Sequence, residues 1–317
     1  MWIQCGFPQH VPMSSMQRLG AVRGSLLTAL LALGLVLLVV VCVFLLLDNR
    51  SPNRSQAVDT SASSRTNEQS TPSPTATTKR TPTRFRPTLR TRELQILNGP
   101  YFAVGYDNQR KNPAWVLYEI DGAISHPGAS PTRPASFQTD FRTSAHVSHQ
   151  DYTNSGFDRG HMYPAYAAWS RHGSEGFLAT FTCSNIVPQP HSVNAGIWEE
   201  LEEAIAGRHG RGGGWAEKLG HLTVINGPVY GTKPERLRAG VTIPESCFSI
   251  VLDWQEAQHT YRVLAFQIPN VDGTRGPLTR WITTIKRIET ETGLNVFAGE
   301  AESLRAGLET KLAEALW

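Results

Sequence analysis

An α+β fold is predicted by three features of the chain. Extended apolar runs dominate residues 101–268, helical patterns fall irregularly among them, and neither an internal repeat nor a glycine-rich phosphate loop interrupts them. A doubly wound parallel sheet would need strands and helices in regular alternation, which is missing. The folded region read this way is residues 93–317, long enough to bury a sizeable core, and three segments of different character precede it.

Residues 1–25 form a short N-terminal segment. Leu26 to Leu47 are 22 residues without a charge. At about 1.5 Å per residue they match a bilayer core of about 30 Å, so an uncleaved transmembrane signal anchor is expected at 26–47. Residues 48–92 are rich in Ser, Thr, Pro and Arg with almost nothing apolar, the composition of a disordered stalk that cannot offset its ordering entropy. Its last part holds Lys79, Arg80, Arg84, Arg86, Arg90 and Arg92, read either as an electrostatic handle on phosphate or lipid headgroups or as plain solubility.

Charge is divided along the chain. Residues 1–92 carry 11 Lys/Arg against 3 Asp/Glu, whereas 93–317 carry 19 against 24. The folded region is mildly acidic, so the basic isoelectric point is no argument that it binds nucleic acid. Cys183 and Cys247 are its two cysteines, too few for a disulfide framework, and form either two buried thiols or one bridge.

Within that region, strands are expected at Tyr101–Tyr106 and Ala114–Ile120, where aromatic and β-branched residues cluster. A Pro/Gly/Ser-rich loop follows over 121–136. Phe177–Ile186 reads as a buried strand ended by Pro188. Asn194–Gly207 has helical spacing in Ile197, Trp198, Leu201 and Ile205, with Gly207 as the stop, and Gly210–Gly214 reads as a flexible insert. Further strands are expected at Leu222–Asn226, Ser249–Trp254 and Tyr261–Ile268, separated by a loop-rich span from Gly227 to Pro244. Helices are expected at Thr279–Thr292, with Thr279 as N-cap and Gly293 as stop, and at Glu300–Leu316.

Two short segments carry the chemistry. The first is Phe157-Asp158-Arg159-Gly160-His161-Met162, and the second opens with Asn194 and runs through Trp198 and Leu201 to Glu202. Nine histidines lie in the folded region, so one alone is ordinarily structural. Beside His161, however, Asp158 can bond a ring nitrogen or local backbone, Arg159 can face a phosphate, and Gly160 allows close backbone approach. In the second segment Asn194, Trp198 and Glu202 stand at i, i+4 and i+8, one slanted stripe of a helix. Taken singly, Asn194 is a common N-cap, Trp198 a core residue and Glu202 a solvated charge. Together they supply a base, an arginine, an uncharged oxygen ligand and a carboxylate, which suits Mg²⁺, a hard ion held by few protein groups. No HExxH, CxxC or GxSxG occurs, which argues against a zinc site or a serine hydrolase.

The Phe157–Met162 run resembles the signature of the DNA/RNA non-specific endonucleases, the ββα-metal nucleases that include endonuclease G. Ser184-Asn185-Ile186, Pro188-Gln189, Asn194, Trp198, Leu201 and Glu202 are similar to that family's metal-binding segment. Pro113–Val116, Phe137, Asp140, Gly227–Tyr230, Ile243-Pro244 and Ile288–Leu294 resemble its other landmarks, so the likeness covers about residues 95–300. It implies a central antiparallel sheet flanked by helices. It implies His161 as general base and Asn194 as the direct Mg²⁺ ligand, with Mn²⁺ as a substitute ion. Glu202 would hold the waters around the metal, Arg159 would face the phosphate or support the site, and Asp158 would orient its neighbours. An upstream arginine should stabilise the phosphate, Arg133 first and Arg142 second.

The function expected is a membrane-anchored, Mg²⁺-dependent endonuclease acting on DNA and RNA to leave 5′-phosphate ends. The alternative is a catalytically inactive nucleic-acid-binding or adhesion module on a stalk. The expected location is a single-pass membrane protein with its catalytic domain on the extracytoplasmic side, or alternatively the mitochondrial inner membrane. The oligomeric state stays open, a homodimer being one option.

Overall fold

The computed structural model describes residues 85–208 and 213–317. Its centre is a seven-stranded sheet, antiparallel throughout, built from β2 (Gln95–Asn98), β3 (Phe102–Asp107), β4 (Asn112–Asp121), β7 (His221–Val229), β8 (Ser246–Gln255), β9 (Thr260–Pro269) and β10 (Ile282–Thr283). Their order is β10-β9-β8-β7-β4-β3-β2. The sheet is thus two meanders joined where β4 pairs with β7, with Val116 opposite Asn226. Everything between β4 and β7 in sequence leaves the sheet and builds on one of its faces.

Strict side-chain alternation gives the sheet two apolar faces. Val116, Tyr118, Val224, Val251 and Leu264 point to one core, and Trp115, Leu117, Ile225, Ile250 and Val263 to the other. Both faces are covered, which is why the central strands read as continuous apolar runs. The second face is closed by α4 (Ile285–Thr292), α5 (Glu302–Glu309) and the small pair β1 (Thr88–Leu89) with β11 (Leu294–Asn295). The first is closed by the insertion: β5 (Asp158–His161) paired antiparallel with β6 (Ile186–Gln189), and helices α1 (Ala165–Ala179), α2 (Trp198–Ala206) and α3 (Trp215–Leu219).

Several sequence expectations require correction. Phe177–Ile186 is not one strand: its start closes α1, a 3-10 turn spans Cys183–Asn185, and β6 then includes Pro188. The helix before it was missed because its glycines, Gly173 and Gly176, blur the period, and Gly173 (φ +68°) kinks it. The helix expected from Thr279 begins only at Ile285, where the Thr284 hydroxyl accepts a hydrogen bond from the Arg287 N–H. Gly293 does stop it in the left-handed region. The stalk assignment fails for residues 85–92, since Phe85 is buried edge-on against Tyr261 and Phe297 and β1 pairs with β11. Arg86, Arg90 and Arg92 accordingly bond Asn98, Glu289 and Asp107 within the fold. Cys183 and Cys247 are free and buried.

The membrane placement is also corrected. Among the described residues no helix is long and apolar enough to cross a membrane. The longest, α1, has 15 residues, about 22 Å against a bilayer core of about 30 Å. The single-pass location, on the extracytoplasmic side or at the mitochondrial inner membrane, therefore does not stand. The anchor expected at 26–47 lies outside the described residues, as do 1–25, the stalk up to 84 and residues 210–212 of the 210–214 insert.

Candidate active site

The insertion positions its side chains by a few buried bonds. Gly160 sits in the middle of β5, opposite Val187, and a Cβ there would stand 1.7 Å from the Gln189 side-chain oxygen of β6. Gln189 is itself fully buried, so the two strands approach only because residue 160 has no side chain. Past the strand end, Asn185 straps the chain. Its Oδ1 accepts from the Tyr163 N–H (2.9 Å), and its Nδ2 donates to the carbonyls of Tyr163 (3.1 Å) and Thr180 (3.0 Å). Trp198, 1% exposed in the core, donates from Nε1 to the His161 carbonyl (3.2 Å) and ties the first residue of α2 to the end of β5. Trp198 is therefore a core residue that aligns its neighbours.

The stripe Asn194–Trp198–Glu202 is not one regular helix. Residues Val193–Ile197 form a π-helical turn with non-helical dihedrals at Ala195 and Gly196, and α2 begins only at Trp198. The widened turn still brings Asn194 and Glu202 to the same cleft, of about 460 Å³, which Arg133, Asp158, Arg159 and His161 also line. These six residues thus meet in one place, whereas Trp198 lies in the core and Arg142 does not line the cleft.

Asp158 organises one wall. A single oxygen, Oδ2, accepts from Asn194 Nδ2 (3.0 Å) and bonds His191 Nδ1 (2.8 Å). With its amide nitrogen committed, Asn194 has Oδ1 left as an acceptor for a ligand. His161 lies opposite, 7% exposed, its ring set among Phe137 and Phe181 at 5.2 and 5.1 Å between centroids. Its Nε2 is buried and has no hydrogen-bond partner among the described residues. Burial, and then the nearby positive charge of Arg133, push its pKa down to about 3, so the imidazole is neutral at physiological pH. Glu202 shows the reverse: burial first, then the like charge of Glu199, push it up to about 8.

The arginines divide by employment. Arg133 is exposed at the rim and makes no hydrogen bond or ion pair among the described residues, while its charge acts on both His161 and Glu202. Arg159 donates from Nη2 to the His149 carbonyl (2.6 Å) and lies over the Tyr152 ring. It is a brace of the wall. Arg142 forks onto Asp140 with bonds of 2.8 and 2.7 Å, and Ser184 donates to the same carboxylate (2.6 Å). Burial alone would raise the Asp140 pKa, but these bonds bring it below the usual range, and Arg142 is spent there.

The cleft also contains residues that sequence reasoning passed over: His149, His191 and Glu199. His191 lies three residues before Asn194, outside the stripe read from that position onward. Glu199 follows the core residue Trp198, and Glu202 falls one turn later. For His149 no spacing signal exists, because its place depends on the path of the irregular loop after β4.

Comparison with known proteins gives the family and the fold. The sequence model of the DNA/RNA non-specific endonuclease family matches residues 80–303. A nuclease from Nostoc sp. is 24% identical over 73% of this chain and 83% of its own length. The mitochondrial nuclease EXOG of Xenopus laevis is 32% identical over 62% of this chain but 56% of its own length, so the chain spans little more than half of that relative. Human mitochondrial endonuclease G is 25% identical over 67% of this chain and 75% of its own. Among solved structures, endonuclease G in a complex with the inhibitor EndoGI superposes with a TM-score of 0.57 at 21% identity, covering 66% of this chain and 88% of that one. At that identity the likeness speaks for the fold.

Proposed function

The chain belongs to the DNA/RNA non-specific endonuclease family, and on that premise we propose that it hydrolyses internal phosphodiester bonds of DNA and RNA with a divalent cation, leaving 5′-phosphate ends. One observation carries the reading: a buried, unpartnered His161 nitrogen lines the same cleft as an Asn194 amide whose oxygen is left open by the bond from its nitrogen to Asp158.

The donor set suits a hard cation. Among the described residues no three His, Cys, Asp or Glu side chains form a metal cage. Asn194 Oδ1 as the direct ligand, with the carboxylate of Glu202 holding the ion's waters, fits an ion that takes one or two protein oxygens and keeps its waters, Mg²⁺ or Mn²⁺ as its substitute. When bound, the ion would supply positive charge to the phosphoryl oxygen and the departing 3′-oxygen.

The protein's own residues do the remainder. Arg133, free at the rim, draws a phosphodiester into the cleft and offsets charge that grows on its non-bridging oxygens. His161, neutral, accepts the proton of the attacking water at Nε2. A base with a pKa of about 3 is weak. The entering phosphate brings negative charge beside the ring and engages Arg133, and both changes raise that pKa toward the operating range. Asp158 and Arg159 hold the wall in place. Contacts of this kind meet the sugar-phosphate backbone, which carries no base identity, so little sequence preference follows.

The test is incubation of the purified chain with closed circular DNA and with RNA in Mg²⁺, with and without EDTA. Nicked and linear circles and shortened RNA are expected, abolished by EDTA, with ends that a ligase accepts without prior phosphorylation. Unchanged circles in Mg²⁺ and Mn²⁺ would overturn the reading.

A further inference from the structure

His149 stands in the cleft on the 3-10 turn His149–Tyr152, and its side chain has no part in the mechanism above. Its ring is stacked on Phe137 at 6.3 Å with an interplanar angle of 20°, and Phe137 in turn touches the ring of His161. The Phe137 backbone N–H donates to His149 Nδ1 (3.2 Å). A backbone amide can only donate, so Nδ1 is unprotonated and the proton of the neutral ring is on Nε2. Burial, and then the Arg159 charge, lower the His149 pKa and keep the ring in that neutral form. No hydrogen bond of Nε2 exists among the described residues.

The cleft therefore holds a fixed, neutral N–H donor in a lining that also carries two cationic groups, the braced Arg159, whose charge acts on this ring, and the free Arg133. An acceptor drawn to such a place is anionic. A protonated His149 would set two N–H groups against each other at Phe137, so the arrangement is built for donation from Nε2 alone. We propose that His149 Nε2–H forms a phosphate subsite of the cleft, donating to a non-bridging phosphodiester oxygen of the bound strand and so positioning it for His161. The proposal rests on the nuclease reading above and adds a strand-binding residue to it.

Two substitutions separate binding from a merely structural role. His149→Asn keeps an acceptor close to the Nδ1 position, and with it the Phe137 bond, but cannot reach as far as Nε2. His149→Gln gives up that internal bond yet carries an amide donor out to the Nε2 position. Both variants and the wild-type full chain are assayed on a polynucleotide in Mg²⁺ for kcat and KM, with thermal melts alongside. A charge-assisted hydrogen bond to phosphate sets the expected size, a KM about 10-fold higher for His149→Asn with kcat within about threefold, while His149→Gln recovers most of the loss. The opposite order, with Asn near wild type and Gln impaired, would assign His149 to structure and overturn the subsite, as would wild-type KM in both. A wild-type chain that cleaves nothing would instead overturn the nuclease reading itself.

Discussion

At the scale of single residues, the proposed site combines opposed electrostatic shifts. His161 is kept neutral by burial and Arg133, whereas Glu202 is kept protonated by burial and Glu199 up to about pH 8. In the proposed site a cation on Asn194, its waters held by Glu202, requires the carboxylate form, so cation binding must displace the Glu202 proton. The sign follows: below pH 8 each binding event releases a proton, and affinity rises with pH until the carboxyl is already ionised. The expected outcome is a half-saturating Mg²⁺ concentration that falls up to about tenfold per pH unit between pH 6.5 and 8 and flattens above. A Glu202→Gln variant should lose most of that slope. A Mg²⁺ titration whose midpoint ignores pH would remove Glu202 from the cation site. The residue types of the site were legible in sequence because Asp158, Arg159, Gly160 and His161 stand together. Their partners were less so: that Asn194 is oriented by Asp158, and shares its oxygen with His191, depends on two segments meeting in space.

At the scale of elements, one strap and one irregular turn decide whether those residues converge. Asn185 makes three buried hydrogen bonds across the chain following β5, and Trp198 ties α2 to the same strand. Replacing Asn185 by Ala leaves three buried backbone groups, the Tyr163 N–H and the Tyr163 and Thr180 carbonyls, without these partners, a loss of about 3 kcal/mol at the lower figure of about 1 kcal/mol for each unsatisfied group. Urea unfolding should show a lower midpoint with an unchanged m-value. A midpoint equal to wild type would show that the strap contributes nothing. The central strands were readable because their faces are both buried, and the end of α2 because Gly207 stops it. The π-helical turn was not, since a hydrophobic period read across 194–207 averages over the one extra residue at Ala195–Gly196. The helix Ala165–Ala179 escaped for a similar reason, its apolar pattern being thinned by small residues and glycine. The real start of α4 was hidden because Thr279 and Thr284 are equally plausible caps by residue type, and only the short strand at Ile282–Thr283 chooses between them.

At the scale of the whole molecule, a seven-stranded sheet has one face closed by α4, α5 and the β1–β11 pair and the other by the insertion that carries the candidate site. All the segments that carry chemistry leave the sheet after β4 and return at β7, so the site is a single long insertion resting on one core. Composition misled in one respect. The run of arginines ahead of the domain reads as a phosphate handle or as plain solubility on a stalk, yet three of them are bonded within the fold and Phe85 extends the core to a point eight residues before the expected boundary at 93. Polar surroundings concealed one buried aromatic. The mild acidity of residues 93–317 is compatible with the proposed activity because the free cation that matters, Arg133, is local to the cleft. The central claim is that this cleft cleaves phosphodiesters with His161 as its base. It is tested most directly by the cleavage rate of His161→Ala on closed circular DNA in saturating Mg²⁺, relative to wild type, with a thermal melt to show that the fold persists. The rate should fall by about 10²–10⁴-fold, the usual worth of general-base catalysis; a folded variant that nicks the circle at the wild-type rate would contradict the account.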